Sequence, residues 1–375
     1  MASPSDRIPV SIITGFLGAG KSTLLNRLLR DPDMRDTAVI INEFGEVGID
    51  HLLVESSGDA MVELSNGCLC CTVRGELTDT LVSLRDGLAT GRIKALRRVV
   101  IETTGLADPA PVIQSIIGEP DISRDFALDG VITLVDAVNG LSTLEHHQEA
   151  RRQVAMADRL VLTKKTLAEP AAIAALEARL KLLNPIASVI DGDTPDAARF
   201  AMLACGLYDP ATKIADVSRW LHDEAHHHHD HGDHDHHHHD GHDHHHHHHH
   251  DDAIRSFSII HDRPIDPGAI GMFVDLLRSA HAEKLLRMKA VVQLADDPDR
   301  PLVLHGVQAV FHQPERLPRW PDPSDRRTRM VLITRDLPAE FVQSLFDAFT
   351  GTPRVGQADR QALEDNPLAI PGMRF

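Results

Sequence analysis

The first part of the chain alternates short apolar runs with stretches of helical spacing. The runs predict strands at 10–14 (VSIIT), 38–42 (AVIIN), 98–102 (RVVIE), 131–135 (VITLV) and 160–163 (LVLT). Each run is apolar on both faces, which is typical of a parallel sheet covered by helices on both sides. The spacing also predicts helices at 22–30 and from Pro170 to Leu183, because proline suits a first helical turn. We therefore expect an α/β domain over residues 8–220.

After residue 253 the pattern shifts toward two-residue alternation, which is typical of strands with one buried face. The predicted strands lie at 256–260 (SFSII), 289–294, 306–311 and 330–334, and a helix is predicted at 273–278. This mixture indicates a smaller α+β domain over 254–352. Residues 353–375 contain three prolines and predict an irregular tail.

A histidine-rich tract lies between the two predicted domains. Residues 226–250 contain 18 of the 26 histidines, with five aspartates and two glycines. Because the tract has no apolar side chain to bury, residues 221–253 are predicted to form a disordered linker. Imidazoles and carboxylates bind transition metals, so the tract predicts a metal collector whose affinity falls below about pH 6. A solvated linker with no metal function is the alternative.

Composition and charge narrow the class of protein. The formal net charge is −17 and aromatic residues make up 4% of the chain. Such a surface disfavours non-specific binding to nucleic acids or anionic membranes. No apolar run reaches 18 residues and residues 1–10 lack the apolar stretch of a signal peptide, so we expect a cytoplasmic protein. The composition leaves the oligomeric state open.

A glycine-rich loop follows the first predicted strand and precedes the first helix. Residues 15–22 (GFLGAGKS) match the phosphate-loop pattern G-x-x-x-x-G-K-[ST]. Such a loop directs backbone N–H groups at phosphates, Lys21 would reach the β and γ phosphates, and Ser22 would bind Mg²⁺. The strand–loop–helix context favours nucleotide binding over a glycine turn without a ligand.

A carboxylate and a glycine follow the predicted strand at 98–102. Glu102 ends the strand, and Gly105 comes three residues later. A carboxylate at the carboxyl end of a parallel strand lies near the phosphate site, where it can bind Mg²⁺. The Gly105 N–H is expected to contact the γ-phosphate. Capping of the next turn by Glu102 is the alternative.

The predicted base site follows the strand at 160–163. Thr163 and Lys164 occupy the first two positions of the N/T-K-x-D motif of guanine-specific proteins, but Thr166 stands where that motif has Asp. A hydroxyl cannot accept the paired hydrogen bonds from guanine, at a cost of roughly 2–3 kcal/mol. The sequence therefore leaves base specificity open, and a plain lysine-rich turn is the alternative.

Three of the four cysteines lie within four residues. Cys68, Cys70 and Cys71 form a C-x-C-C cluster, a spacing that can direct two or three thiolates at one Zn²⁺ or similar ion. Buried structural thiols are the alternative. Glu43 follows another strand end and is a weaker candidate metal ligand. Cys205 stands alone and is expected to be a small buried residue.

Five segments occur in an order that resembles the CobW-type metal-chaperone GTPases, relatives of the nickel-insertion GTPases of urease and hydrogenase maturation. They are TGFLGAGKST, INEFGEVGID, NGCLCCTVR, ETTGLADP and the later TK stretch. A sixth segment, RMKAVVQLADDPDRPLVLHGVQAVFH, resembles the C-terminal domain of this family. The resemblance covers most of the chain.

The resemblance implies a phosphate-loop GTPase domain that couples GTP hydrolysis to delivery of a metal to a client protein. The residues that it implies for phosphate and Mg²⁺ are Gly15, Gly18, Ala19, Gly20, Lys21, Ser22 and Thr23. Cys68, Cys70 and Cys71 would bind the transferred metal with Glu43 nearby, and Glu102 to Gly105 would form the second switch. Zn²⁺ is the expected cargo. The alternatives are a cobalt chaperone for cobalamin biosynthesis, a passive histidine-tract store, and a small-molecule kinase.

Overall fold

The computed structural model describes residues 7–41, 61–63, 73–205 and 254–351. The predicted linker, the predicted tail and the histidine tract lie outside these residues. Within the described ranges, no helix combines the length and the apolar character that crossing a membrane would require.

The first sheet has seven strands, and every neighbouring pair is parallel. The five apolar runs predicted a parallel sheet, and the two outermost strands were not predicted. The strand order is β3-β2-β4-β1-β5-β6-β7. The strands are β1 (Ile8–Gly15), β2 (Thr37–Ile41), β3 (Met61–Glu63), β4 (Arg98–Glu102), β5 (Phe126–Asp136), β6 (Arg159–Thr163) and β7 (Ser188–Asp191). The helices are α1 (Lys21–Leu28), α2 (Val73–Ala89), α3 (Ala110–Gly118), α4 (Pro120–Ser123), α5 (Gly140–His146), α6 (Gln148–Ala155) and α7 (Pro170–Leu183).

Both faces of this sheet are covered, because successive side chains of a strand point to opposite sides. On one face Ile12 belongs to a cluster that includes Leu81 of α2 and Ile113 of α3. On the other face Ile13 belongs to a separate cluster that includes Leu25 of α1. The double apolar pattern of the strands therefore reflects two helical layers.

The second sheet is antiparallel and contains six strands, in the order β11-β10-β9-β13-β8 with β12 beside β10. The strands are β8 (Ile254–His261), β9 (Leu285–Val292), β10 (Leu302–Val307), β11 (Val310–Phe311), β12 (Glu315–Arg316) and β13 (Thr328–Arg335). Helices α8 (Pro267–Ala280) and α9 (Ala339–Thr350) contribute Phe273 and Phe346 to the core with Met288 and Leu332 of the sheet. The predicted α+β architecture is confirmed.

Several elements of this second part differ from the sequence prediction: β9 begins four residues before the predicted strand at 289–294, and β12 was not predicted. The strand predicted at 306–311 is a hairpin, in which the end of β10 and all of β11 flank a tight turn that has Gln308 at a φ of +52°. The run is apolar around one polar residue, so its pattern does not distinguish a hairpin from one strand. Helix α9 was not predicted, although its apolar residues Val342 and Phe346 are four positions apart, the helical spacing.

The two sheets are joined through a buried carboxylate. Asp158, between α6 and β6, contacts Arg287 and Lys289 of β9, and all three side chains are only 3% exposed. The Arg287 guanidinium also donates to the Met156 carbonyl oxygen at 2.7 Å, and the Val131 N–H donates to Asp158 at 2.9 Å. Burial alone would raise the pKa of Asp158, but the charges of Arg287 and Lys289 lower it to about 2. The carboxylate is therefore ionised at neutral pH.

We predict that Asp158→Ala destabilises the protein by about 3–5 kcal/mol, because it leaves two cations buried without their counter-charge. The matched control is Asp121→Ala, which removes an exposed ion pair with Arg124 and should cost less than ~1 kcal/mol. Urea unfolding followed by circular dichroism measures both changes. Equal midpoints for the two variants would contradict the prediction.

The low pKa of Asp158 also predicts a pH dependence. A folded pKa of about 2 lies below the ordinary value of 3.8, so the folded state binds a proton less readily than the unfolded chain. The resulting stabilisation is present above about pH 4 and is lost as the pH falls toward 2. The stability difference between the wild type and Asp158→Asn should therefore narrow between pH 5 and pH 2.5. A stability difference that stays constant over this pH range would contradict the low pKa of Asp158.

Candidate functional site

The glycine loop between β1 and α1 depends on three positive φ angles. Gly15, Gly18 and Gly20 have φ values of +142°, +75° and +91°, which disfavour side chains. Gly15 is also crowded, because a Cβ there would lie 2.5 Å from the Leu134 carbonyl oxygen of β5. Gly20 precedes the first turn of α1, whose N–H groups and dipole favour an anion. The local geometry is that of a phosphate-binding loop.

The predicted lysine and serine both lie at this loop. Lys21 Nζ donates to the carbonyl oxygens of Gly15 at 2.9 Å and Phe16 at 3.3 Å, so the ammonium lies across the loop. Ser22 Oγ donates to Glu102 Oε1 at 2.9 Å, and Glu102 is buried. The structure therefore brings together the hydroxyl and the carboxylate that were predicted to bind Mg²⁺. These are hard oxygen ligands, and they fit that ion.

Gly105 lies against the phosphate loop. A Cβ on Gly105 would lie 2.7 Å from the backbone nitrogen and 2.8 Å from the Cα of Leu17. The segment is anchored beneath by Gln153 of α6, whose Nε2 donates to the carbonyl oxygens of Gly105 at 3.1 Å and Ala107 at 3.0 Å. A small displacement of the phosphate loop would therefore press on Gly105. This close packing suits the contact that we expect between the Gly105 N–H and the γ-phosphate.

Two threonines line the same segment. Thr103 Oγ1 donates to Thr14 Oγ1 at 2.7 Å, between the ends of β4 and β1. Thr104 Oγ1 is buried and has no hydrogen-bond partner among the described residues. A buried hydroxyl without a partner costs free energy, so Thr104 is a further candidate to contact the nucleotide or an attacking water.

The predicted base site adjoins the phosphate loop from the other side. Thr163 Oγ1 donates to the Ala19 carbonyl oxygen at 2.8 Å. Lys164 has a φ of +59°, and its Nζ lies 2.8 Å from Asp136 Oδ2 at the end of β5. Burial would raise the pKa of Asp136, but hydrogen bonds from Lys164 and Asn139 leave it below the ordinary range. The lysine stem is therefore fixed beside the loop, as base stacking requires.

Three side chains of this site were not predicted from the sequence. Asp136 had the clearest signal, since it follows an apolar strand directly. Asp193 accepts from the backbone N–H groups of Lys164 and Thr166. The sequence indication for Asp193 was the DGD stretch at 191–193, at the end of a strand that was too short to predict. Gln153 lies in a polar helix and gave no signal.

The remaining predicted residues are placed as follows. Ala19 is buried in the loop and Thr23 is exposed on α1. Cys205 is buried, as expected. The candidate metal ligands Glu43, Cys68, Cys70 and Cys71 lie outside the described residues. Within the described ranges, no three His, Cys, Asp or Glu side chains converge in a way that could bind a metal ion.

A glycine loop that joins a strand of a parallel sheet to a helix, with Lys21 and Ser22 at its end and Glu102 opposite, defines a phosphate-loop nucleotide-binding protein. Two family models match the chain. Residues 9–191 match the CobW/HypB/UreG nucleotide-binding domain, and residues 254–350 match the C-terminal domain of the cobalamin synthesis protein CobW.

Two relatives align with nearly the whole chain. The zinc chaperone YjiA of Escherichia coli is 33% identical over 342 residues, which cover 90% of this chain and 98% of YjiA. The zinc chaperone CobW of a Sinorhizobium species is 30% identical over 87% of this chain and 92% of its own length. The crystal structure of the Zn(II)-bound YjiA GTPase matches with a TM-score of 0.62 at 29% identity, covering 92% of this chain and 99% of that chain. The chain belongs to the CobW family of metallochaperone GTPases.

We predict that Gly105→Ala weakens nucleotide binding about tenfold or more. The added methyl group would collide with the backbone of Leu17, and relief of such overpacking costs about 1–3 kcal/mol and displaces the phosphate loop. Gly271→Ala is the control, because nothing lies within 4 Å of a Cβ at that position of α8. Calorimetric titration with GTP measures both variants. Unchanged affinity in Gly105→Ala would show that the loop tolerates the displacement.

Proposed function

We propose that the chain hydrolyses GTP with Mg²⁺ and uses the cycle to bind zinc at Cys68, Cys70 and Cys71 and to deliver it to a client protein. The family supports GTP as the nucleotide, and the zinc chaperones among its relatives support zinc as the metal. The contact between the Gly105 segment and the phosphate loop supports the coupling. We propose that residues 8–220 form the GTPase domain and residues 254–352 form the C-terminal domain.

The register of the first sheet supports a metal site near the nucleotide site, because the strands that precede the candidate metal ligands end beside Glu102. In the parallel pairings, Ile41 lies beside both Glu102 of β4 and Glu63 of β3. Glu43 is two residues beyond Ile41, so the chain can travel at most about 7 Å from the strand end to reach it. Cys68 is five residues beyond Glu63, which allows about 17 Å. These limits allow Glu43 and Cys68 to approach the carboxylate that we assign to Mg²⁺, which supports the proposal.

The described side chains have distinct roles in hydrolysis. Lys21 leaves the carbonyl oxygens of its own loop and binds the β and γ phosphates. Ser22 and Glu102 are the residues that would bind Mg²⁺, which neutralises phosphate charge when present. The Gly105 N–H donates to the γ-phosphate. Loss of that contact after hydrolysis releases the segment that Gln153 anchors.

The coupling between nucleotide and metal has a thermodynamic requirement. If GTP raises the affinity for zinc by some factor, zinc must raise the affinity for GTP by the same factor. Release of phosphate then lowers the affinity for zinc, so that a client can take the metal. A passive store would bind zinc equally well with and without nucleotide.

We expect a non-hydrolysable GTP analogue with Mg²⁺ to tighten one stoichiometric zinc site by at least about tenfold. The measurement is a competitive titration of Zn²⁺ against Co²⁺, on the full chain and on a version lacking residues 226–250, whose histidines would mask the site. The tightened site should vanish in Cys70→Ser and remain in Cys205→Ser. Lys21→Ala should abolish the tightening but leave zinc binding. Equal zinc affinity with and without nucleotide would favour the passive store.

A further inference from the structure

The turn that follows β4 determines where the Gly105 N–H points. The Ala107 N–H donates to the Thr104 carbonyl oxygen at 3.1 Å, which closes a turn over residues 104–107. The carbonyl and the N–H of one planar trans peptide point in opposite directions. The Thr104 carbonyl points into the turn, so the Gly105 N–H of the same peptide points out of it. Because we expect this N–H to contact the γ-phosphate, the groups that hold the turn also direct that contact.

Two neighbouring side chains of α6 hold this turn. Gln153 Nε2 donates to the carbonyl oxygens of Gly105 at 3.1 Å and Ala107 at 3.0 Å, and Gln153 is only 1% exposed. Arg152 forms an ion pair with Asp108, the residue after the turn, at 3.2 Å. The turn and its last connection are thereby attached to α6 at three points.

Gln153 is itself fixed in place. Its backbone carbonyl oxygen accepts from Thr133 Oγ1 of β5 at 2.9 Å. The end of α6 is held by Asn184, whose Nδ2 donates to the carbonyl oxygens of Val154 at 2.8 Å and Ala157 at 2.9 Å. The amide of Gln153 is therefore carried by a helix that is bound to its neighbours on both sides of this residue.

The other half of the same amide has an unpaired atom. Gln153 Oε1 is buried and has no hydrogen-bond partner among the described residues. An unpaired buried acceptor is destabilising. Such local departures from stability occur mainly at functional sites. This favours a role for Gln153 in nucleotide recognition over a purely structural one.

The turn also connects α6 to the phosphate loop. A cavity of about 210 Å³ lies between them, and Leu17 and Gln153 both line it. Gly105 contacts both sides, because it accepts from Gln153 and a Cβ on it would lie 2.7 Å from the Leu17 nitrogen. Loss of the Gln153 bonds would therefore release the turn beside free volume, and the Gly105 N–H would no longer keep one direction.

We propose that Gln153, assisted by Arg152, is a positioning residue that raises the affinity for a nucleoside triphosphate relative to the diphosphate. It holds the turn so that the Gly105 N–H is directed at the γ-phosphate, which GTP has and GDP lacks. This inference rests on the proposed hydrolysis of GTP and specifies how the site distinguishes the substrate from the product.

The test compares the wild type with Gln153→Leu on the full-length chain. Affinities for a non-hydrolysable GTP analogue and for GDP, each with Mg²⁺, are measured by competition against a fluorescent nucleotide. Gln153→Leu should lower the affinity for the GTP analogue by about tenfold or more, as for one hydrogen bond to a charged group, and change the GDP affinity less than about twofold. The kcat for GTP should also fall, because charge on the γ-phosphate is stabilised in the transition state.

Gln114→Leu is the matched control. Gln114 of α3 donates through its side-chain amide to Gln308 of the second domain at 2.6 Å, so this variant loses a glutamine hydrogen bond elsewhere and should keep the wild-type ratio of GTP to GDP affinity. Arg152→Met keeps the aliphatic stem and removes the ion pair with Asp108. It should lower the ratio by about threefold.

An equal loss of affinity for the GTP analogue and GDP in Gln153→Leu would show a purely structural role and overturn the inference. So would an unchanged ratio in Gln153→Leu or, where that variant does not fold, an unchanged ratio in Arg152→Met. In these cases hydrolysis of GTP by the wild type leaves the proposed function standing. A wild type that binds neither nucleotide would overturn the proposed function as well.

Discussion

Ile13 lies beside Glu102 in the parallel pairing of β1 with β4, and two residues later β1 becomes the phosphate loop. This register puts the end of β4 next to the start of α1, where Ser22 and Glu102 meet at 2.9 Å. The close approach of Gly105 to Leu17 follows from the same alignment, because Gly105 is three residues beyond Glu102. A shift of one residue would turn Glu102 to the opposite face of the sheet. The site thus depends on one strand pairing.

Helix α6 connects this site to the second domain. Gln153 on the helix binds two carbonyl oxygens of the Gly105 segment, and its own backbone carbonyl accepts from Thr133 of β5. Three residues later the Met156 carbonyl oxygen accepts from Arg287 of β9. The same short helix therefore contacts the segment beside the phosphate loop and the antiparallel sheet.

The fold and the phosphate-binding side of the site could be predicted from the sequence because their signals are local. The apolar runs gave the parallel sheet, and the spacing of Gly15 to Ser22 gave the loop. The contacts of Asp193 and Gln153 could not be predicted in this way. Each joins residues that are tens of positions apart, and each side chain binds backbone groups whose placement no sequence pattern records. The hairpin at Gln308 was not predicted for a related reason, since its turn lies within an apolar run.

The buried ion pairs of Asp158 limit which pairs of domains can be combined by recombination. Arg287 and Lys289 come from one domain and Asp158 from the other. A gene that acquired its second half from a distant relative would gain both cations without their acceptor, or the acceptor without its cations. Removing one side of a buried ion pair is strongly destabilising. Recombination that joins halves of different lineages therefore leaves a charge buried without its partner unless both halves carry the matching charges or both lack them.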